Sequence, residues 1–172
     1  IIARGQAGGY TLILPEQDRT LISRNKMMAD MVSLLGGRAA EEIVFSDITS
    51  GASNDLERVT LLARKMVTRL GMSDELGPMV YGQKDEMVFL GKEFSEQRDY
   101  SESVAEKIDA EVKEMVTESY QKAKDLLIKY RDVLDELAAL LLEEETVSDD
   151  QLDEIFPVPN PKNAGMPVKN SA

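Results

Sequence analysis

The chain of 172 residues contains neither histidine nor cysteine, so carboxylates are the only strong metal ligands it can supply. That composition excludes disulfides, cysteine nucleophiles, thiolate metal sites and the Ser-His-Asp triad within the chain. Two acidic positions stand out by placement. Asp55 follows a loop of small and capping residues, Thr49-Ser50-Gly51-Ala52-Ser53-Asn54, and opens a helical pattern. There it can complement the helix dipole for about 0.3–1 kcal/mol, while Ser53 or Asn54 caps free backbone donors. From the residues alone that helix-dipole role is the favoured reading, with metal ligation left open as the other. Glu41 and Glu42 are neighbours on another helical pattern, where adjacent side chains diverge by about 100° and at most one faces inward. An inward glutamate needs a cation, a metal or a strong donor. Arg38, three residues before Glu41, is the expected partner. No Gly-x-x-x-x-Gly-Lys-[Ser/Thr] loop is present to cradle a phosphate, and no serine has an activating base beside it.

The elements that must position these residues are mostly helices. Gly8–Leu14 is rich in β-branched and aromatic residues, stops at Pro15, and reads as a strand near 8–14. Ser23 is the expected N-cap of a helix with Met27, Met31, Leu34 and Leu35 on one face. The pair Gly36-Gly37 costs about 1 kcal/mol per residue in a helix interior, which suggests close approach by another backbone or a break. A second helical pattern then resumes over Arg38–Phe45. Leu56, Val59, Thr60, Ala63, Val67 and Leu70 are spaced for one buried face, with Gly71 as the expected C-cap. Met87–Leu90, between Gly82 and Gly91, reads as a short strand near 87–90.

Farther along, Val104, Ile108, Val112, Met115, Ser119, Lys122 and Leu126 trace one side of a long helix, widened by Val116, Tyr120 and Leu127. A further helix over about 131–144 is expected to bury Val133, Leu134, Leu137, Leu140 and Leu141. Ser148 and Gln151 stand at capping-box spacing before a short last helix. The fold class is therefore mainly α with a small β element.

Charge divides the chain into three regions. Residues 1–94 carry 13 acids against 11 bases, residues 95–156 carry 19 against 7, and residues 157–172 hold two lysines and no acid. This suggests a nearly neutral front at 1–94, an acidic helical bundle at 95–156 with solvated outer faces, and a proline-rich tail at 157–172, extended or disordered. A net charge of −12 argues against nucleic acid as a partner. No apolar run is long enough to cross a bilayer.

Several stretches, taken in order, resemble the peptidase domain of the FtsH family. They are Arg4-Gly5-Gln6-Ala7-Gly8-Gly9-Tyr10-Thr11-Leu12, Leu14-Pro15-Glu16-Gln17-Asp18-Arg19, Leu34-Leu35-Gly36-Gly37-Arg38-Ala39-Ala40-Glu41-Glu42 and Thr49-Ser50-Gly51-Ala52-Ser53-Asn54-Asp55-Leu56-Glu57-Arg58. Ala63-Arg64-Lys65-Met66-Val67-Thr68, Gly71-Met72-Ser73, Leu76-Gly77-Pro78 and Val88-Phe89-Leu90-Gly91 continue the match, which covers about residues 1–145.

The resemblance implies a membrane-anchored, ATP-dependent zinc metalloprotease that acts on protein substrates as a homo-hexamer. ATP and magnesium enter only through an AAA+ motor domain, and the membrane only through segments, that this chain does not contain. The peptidase domain is expected to face the cytoplasm of a bacterium. In such proteins two histidines of a His-Glu-x-x-His helix and a downstream aspartate hold zinc. Zinc activates a water, whose proton the motif glutamate takes, and the hydroxide attacks the peptide carbonyl.

The aspartate falls on Asp55. Glu41 falls near the metal, where it orients a ligating imidazole rather than touching the ion. Gly9, Tyr10, Thr11 and Leu12 are the expected edge strand for extended substrate. The His-Glu-x-x-His helix is expected to lie upstream of Ile1, so the chain alone is expected to be inactive and to hold no stoichiometric zinc. The alternative is a noncatalytic helical module that supports oligomerisation.

Overall fold

The computed structural model describes residues 21–82 and 99–156. They form α1 (Arg24–Phe45), a single 3-10 turn (Ser50–Ala52), α2 (Ser53–Thr68), α3 (Glu102–Lys129), α4 (Arg131–Glu144) and α5 (Asp149–Ile155). The chain is mainly helical, and no strand occurs among the described residues. The strands expected near 8–14 and 87–90, and the tail, lie outside them, so the structure supports the helical class alone. The residues fall into two compact units, one spanning 19–128 and the other including 129–156.

The first unit is built on α1. Ser23 is extended and its side chain accepts from the Lys26 amide at 3.3 Å, capping the helix as its residue type predicts. Met27, Met31, Leu35 and Ala39 recur every fourth residue and are buried. The helix passes through Gly36-Gly37 unbroken, and a Cβ added at either glycine meets nothing within 4 Å among the described residues. The expected break is therefore corrected, and no backbone among the described residues makes the close approach that was its alternative. Full burial of Met31 and Leu35 contributes about 1.5–3 kcal/mol each, more than the roughly 1 kcal/mol each glycine costs.

The core gathers α1 with Val59, Ala63, Met66 and Val67 of α2, Leu76, and Ile108, Val112, Met115 and Ala123 of α3. Two expected faces shift in phase. On α2, Met66 is buried, whereas Leu70 is exposed and so is Thr60, whose hydroxyl donates to the Leu56 carbonyl. On α3, the stripe beyond Ser119 continues by fours to Ala123 and Leu127, which leaves Lys122 and Leu126 outside. After α2 the chain turns at Gly71, whose φ is +58° and whose Cβ position faces Pro78 main chain at 2.9 Å. The Arg64–Asp109 pair at 3.0 Å and the Lys107–Glu75 pair at 2.7 Å tie α3 to α2 and to this turn.

The second unit holds α4 and α5. The boundaries expected for α4 are met, but none of its residues is buried. Val133, Leu134, Leu137, Leu140 and Leu141 are only half-buried, because α5 is seven residues long and covers little of that face. Ser148 and Gln151 form the expected capping box at the start of α5.

Candidate functional site

The segment from the end of α1 to the first turn of α2 carries both candidate carboxylates. Ala39 is the last buried residue of α1, and Val44, Phe45 and Ile48 are exposed. Polar bonds therefore hold this stretch. Glu41 accepts from the Thr49 hydroxyl at 2.8 Å and from the Thr49 amide at 3.2 Å. The Thr49 hydroxyl oxygen accepts in turn from the Gly51 amide at 3.1 Å and caps the 3-10 turn. Ser53 donates its amide to the Ser50 carbonyl, so the turn runs directly into α2. Ser53 and Asn54 consequently lie inside α2 and do not cap it; its N-cap is Ala52, with no side-chain bond. The turn supplies the backbone acceptor that a capping side chain would otherwise provide.

Asp55 stands in the first turn of α2, half-exposed, with Arg58 at 3.5 Å. An exposed i,i+3 pair of this kind is worth about 0–1 kcal/mol and leaves the carboxylate accessible to another partner. Arg38 does not take the part expected of it: among the described residues Glu41 is bonded by Thr49, and the Arg38 charge acts on Glu42 and Tyr120.

Glu42 turns the other way, about 100° around the helix. It accepts from Lys124 Nζ at 2.7 Å and from the Tyr120 hydroxyl, both on α3. Bonds from Lys124 and then from Tyr120 hold the Glu42 carboxyl below the ordinary range, and the Arg38 charge adds to this. Burial, then the bond to Glu42, pushes the Tyr120 hydroxyl up. Sequence reasoning missed this cluster. Its one local signal is the four-residue spacing of Tyr120 and Lys124, which puts both on one face of α3.

Among the described residues no three His, Cys, Asp or Glu side chains come together to hold a metal ion. A catalytic zinc site takes three protein ligands, so Asp55 can serve as one ligand and the described residues do not fit zinc by themselves. Gly9, Tyr10, Thr11 and Leu12 lie outside the described residues. An open hollow of about 400 Å³ lies elsewhere, lined by Arg24 and mostly by acids of α3 and the 74–75 turn, and includes neither Glu41 nor Asp55.

The described residues are thus helical, with the half-exposed Asp55 carboxylate in the first turn of α2, directly after a loop that Glu41 fixes. Residues 1–155 match the sequence model of Peptidase family M41. The ATP-dependent zinc metalloprotease FtsH of Thermotoga maritima is 56% identical over 157 residues, which cover 91% of this chain and 26% of that protein. FtsH 1 of Thermomicrobium roseum is 45% identical over 174 residues, covering 100% of this chain and 27% of its own length. FtsH of Pseudothermotoga lettingae is 51% identical over 157 residues, 91% of this chain and 25% of its own. This chain belongs to peptidase family M41, and spans about a quarter of the length of the curated relatives it matches.

Proposed function

We propose that this chain is part of an ATP-dependent zinc metalloprotease that degrades proteins, with Asp55 as one of the zinc ligands. The observation that carries the reading is the half-exposed Asp55 carboxylate, set at a helix start by the Glu41–Thr49–Gly51 bonds. The names of the FtsH relatives supply the metal, the ATP dependence and the peptidase class.

In this reading Glu41 orients a ligating imidazole and also fixes the loop before Asp55. Gly9, Tyr10, Thr11 and Leu12 receive the extended substrate. Membrane anchorage, a cytoplasmic-facing peptidase domain, a homo-hexameric ring and a magnesium-dependent AAA+ motor belong to the whole protein in the same proposal. No helix among the described residues is long and apolar enough to cross a membrane. With one carboxylate ligand and no histidine, the 172-residue chain by itself holds no stoichiometric zinc and cleaves no peptide bond.

Elemental analysis and a protease assay test this. In a longer protein that carries the remaining ligands, Asp55→Ala abolishes zinc and proteolysis while circular dichroism keeps the same helix content. Zinc retained in that variant returns Asp55 to its helix-dipole role. One tightly held zinc per 172-residue chain refutes the incomplete-site reading and points to ligands other than those named here.

A further inference from the structure

Resting on that reading of Asp55, we propose that Glu42, Tyr120 and Lys124 form a positioning latch. Through it α3 holds the last turn of α1, and with it the Glu41–Thr49 bridge that sets where α2 and Asp55 begin. The need for a latch follows from burial. Apolar packing of α1 ends at Ala39, while Val44 is 40% and Phe45 75% exposed. A terminal helical turn without buried contacts opens readily. Glu41 and Glu42 occupy that turn, so its opening releases the Thr49 bonds.

The contacts that oppose opening come from residues 78 and 82 positions farther along the chain, the Tyr120 hydroxyl and Lys124 Nζ on Glu42. They are charge-assisted, and converge on one carboxylate from a single face of α3. α3 is itself seated in the core by Ile108, Met115 and Ala123, so it is a firm anchor.

The two adjacent carboxylates divide the work. Glu42 grips the anchored helix, and Glu41, pointing away from it, grips the loop. Each bond from α3 to the Gly51 amide passes through a named pair: Lys124–Glu42 at 2.7 Å, Glu41–Thr49 at 2.8 Å and Thr49–Gly51 at 3.1 Å. The latch residues touch neither metal nor substrate in this reading. They act through the loop.

Amide hydrogen exchange followed by NMR on the 172-residue chain tests the latch. Tyr120→Phe keeps the ring and removes one bond; Lys124→Met keeps the stem and removes the other. Both are expected to speed exchange of the Thr49 and Gly51 amides by about threefold or more, relative to Val59 and Ala63 in the middle of α2. Lys107→Met breaks the Glu75 ion pair on the same helix α3 and is expected to leave Thr49 and Gly51 unchanged relative to those reference amides. Unchanged exchange in both latch variants overturns the proposal. So does equal acceleration at Val59 and Ala63, or the same response to Lys107→Met, since each describes general loosening.

A second measurement separates the latch from the reading it rests on. In the longer zinc-loaded protein, Tyr120→Phe is expected to speed zinc loss to a chelator by about threefold or more. Zinc retained in Asp55→Ala refutes the ligand assignment, whereas the amide result in the shorter chain decides the latch independently.

Discussion

Gly71→Ala measures how tightly the turn after α2 is packed. Gly71 has φ +58°, and an added Cβ would lie 2.9 Å from Pro78 Cα, 3.1 Å from Pro78 C and 3.3 Å from Met79 N. Two costs combine. The left-handed backbone costs a non-glycine residue about 1–2 kcal/mol. The close contact falls on main chain, so the whole 77–79 turn must shift, against bonds from the Met72 amide to the Met66 carbonyl at 3.0 Å and from the Tyr81 amide to the Thr68 carbonyl at 2.8 Å. Overpacking of that kind costs about 1–3 kcal/mol. The expected loss is about 2–5 kcal/mol, a large share of a total stability of roughly 5–15 kcal/mol. Gly77→Ala is the matched control, because Gly77 has φ +70° but meets nothing within 4 Å among the described residues. It carries the backbone cost alone. Urea unfolding followed by far-ultraviolet circular dichroism, with the slope checked for constancy, gives both values. A Gly71→Ala loss within about 0.5 kcal/mol of the Gly77→Ala loss refutes the steric argument, because the Pro78 contact is what separates them.

Gly36→Ala is expected to stabilise the chain by about 1 kcal/mol, since the residue is helical and its Cβ position meets nothing within 4 Å among the described residues; a lower denaturant midpoint would show that this face is occupied. Glu42 gives an acid-side dependence. Its carboxyl lies below the ordinary range because Lys124 and Tyr120 bond it. Its contribution is therefore complete above the ordinary carboxylate pKa, and is lost as pH falls through the lowered folded-state value. Urea unfolding between about pH 6 and pH 2 should show Glu42→Gln losing less stability on acidification than the parent, and parallel curves would contradict this. Lys107 has the opposite sign. The Glu75 bond raises its pKa, so its contribution is complete below the ordinary lysine value and disappears as pH rises through the folded-state value. Lys107→Met should remove that alkaline loss in the same assay.

What could be read in the sequence was local. Ser23, the Met27-Met31-Leu35 stripe, the 131–144 helix and the Ser148–Gln151 box depend on residues three or four apart, where helical geometry links position to contact directly. The errors came where a distant partner decides. Gly36-Gly37 reads as a breaker because propensity is a local quantity, yet the buried side of that same helix outweighs it. Lys122 and Leu126 fit a seam drawn by alternating steps of three and four, but beyond Ser119 the seam proceeds by fours to Ala123. The apolar spacing of α4 identifies a face and says nothing of whether a neighbour covers it; within its unit only half-burial results.

The candidate site exposes a different limit of the same kind. Between Ala39 and Val59 the one buried apolar residue is Ala52, so hydrophobic periodicity is nearly silent over the stretch that positions Asp55. Hydrogen bonds hold it instead, and their partners leave little periodic trace. The rule that adjacent helical carboxylates diverge correctly kept Glu41 and Glu42 from sharing a neighbour. It could not supply the neighbours, because Thr49 lies across a helix end and Tyr120 and Lys124 lie on another helix. A loop held by oriented polar bonds fixes a side chain through direction as well as distance, which apolar packing alone does not do. The placement of two acids at the end of α1, one facing the core helix and one facing the loop, is thus the feature that links a legible helix to the position of a candidate metal ligand.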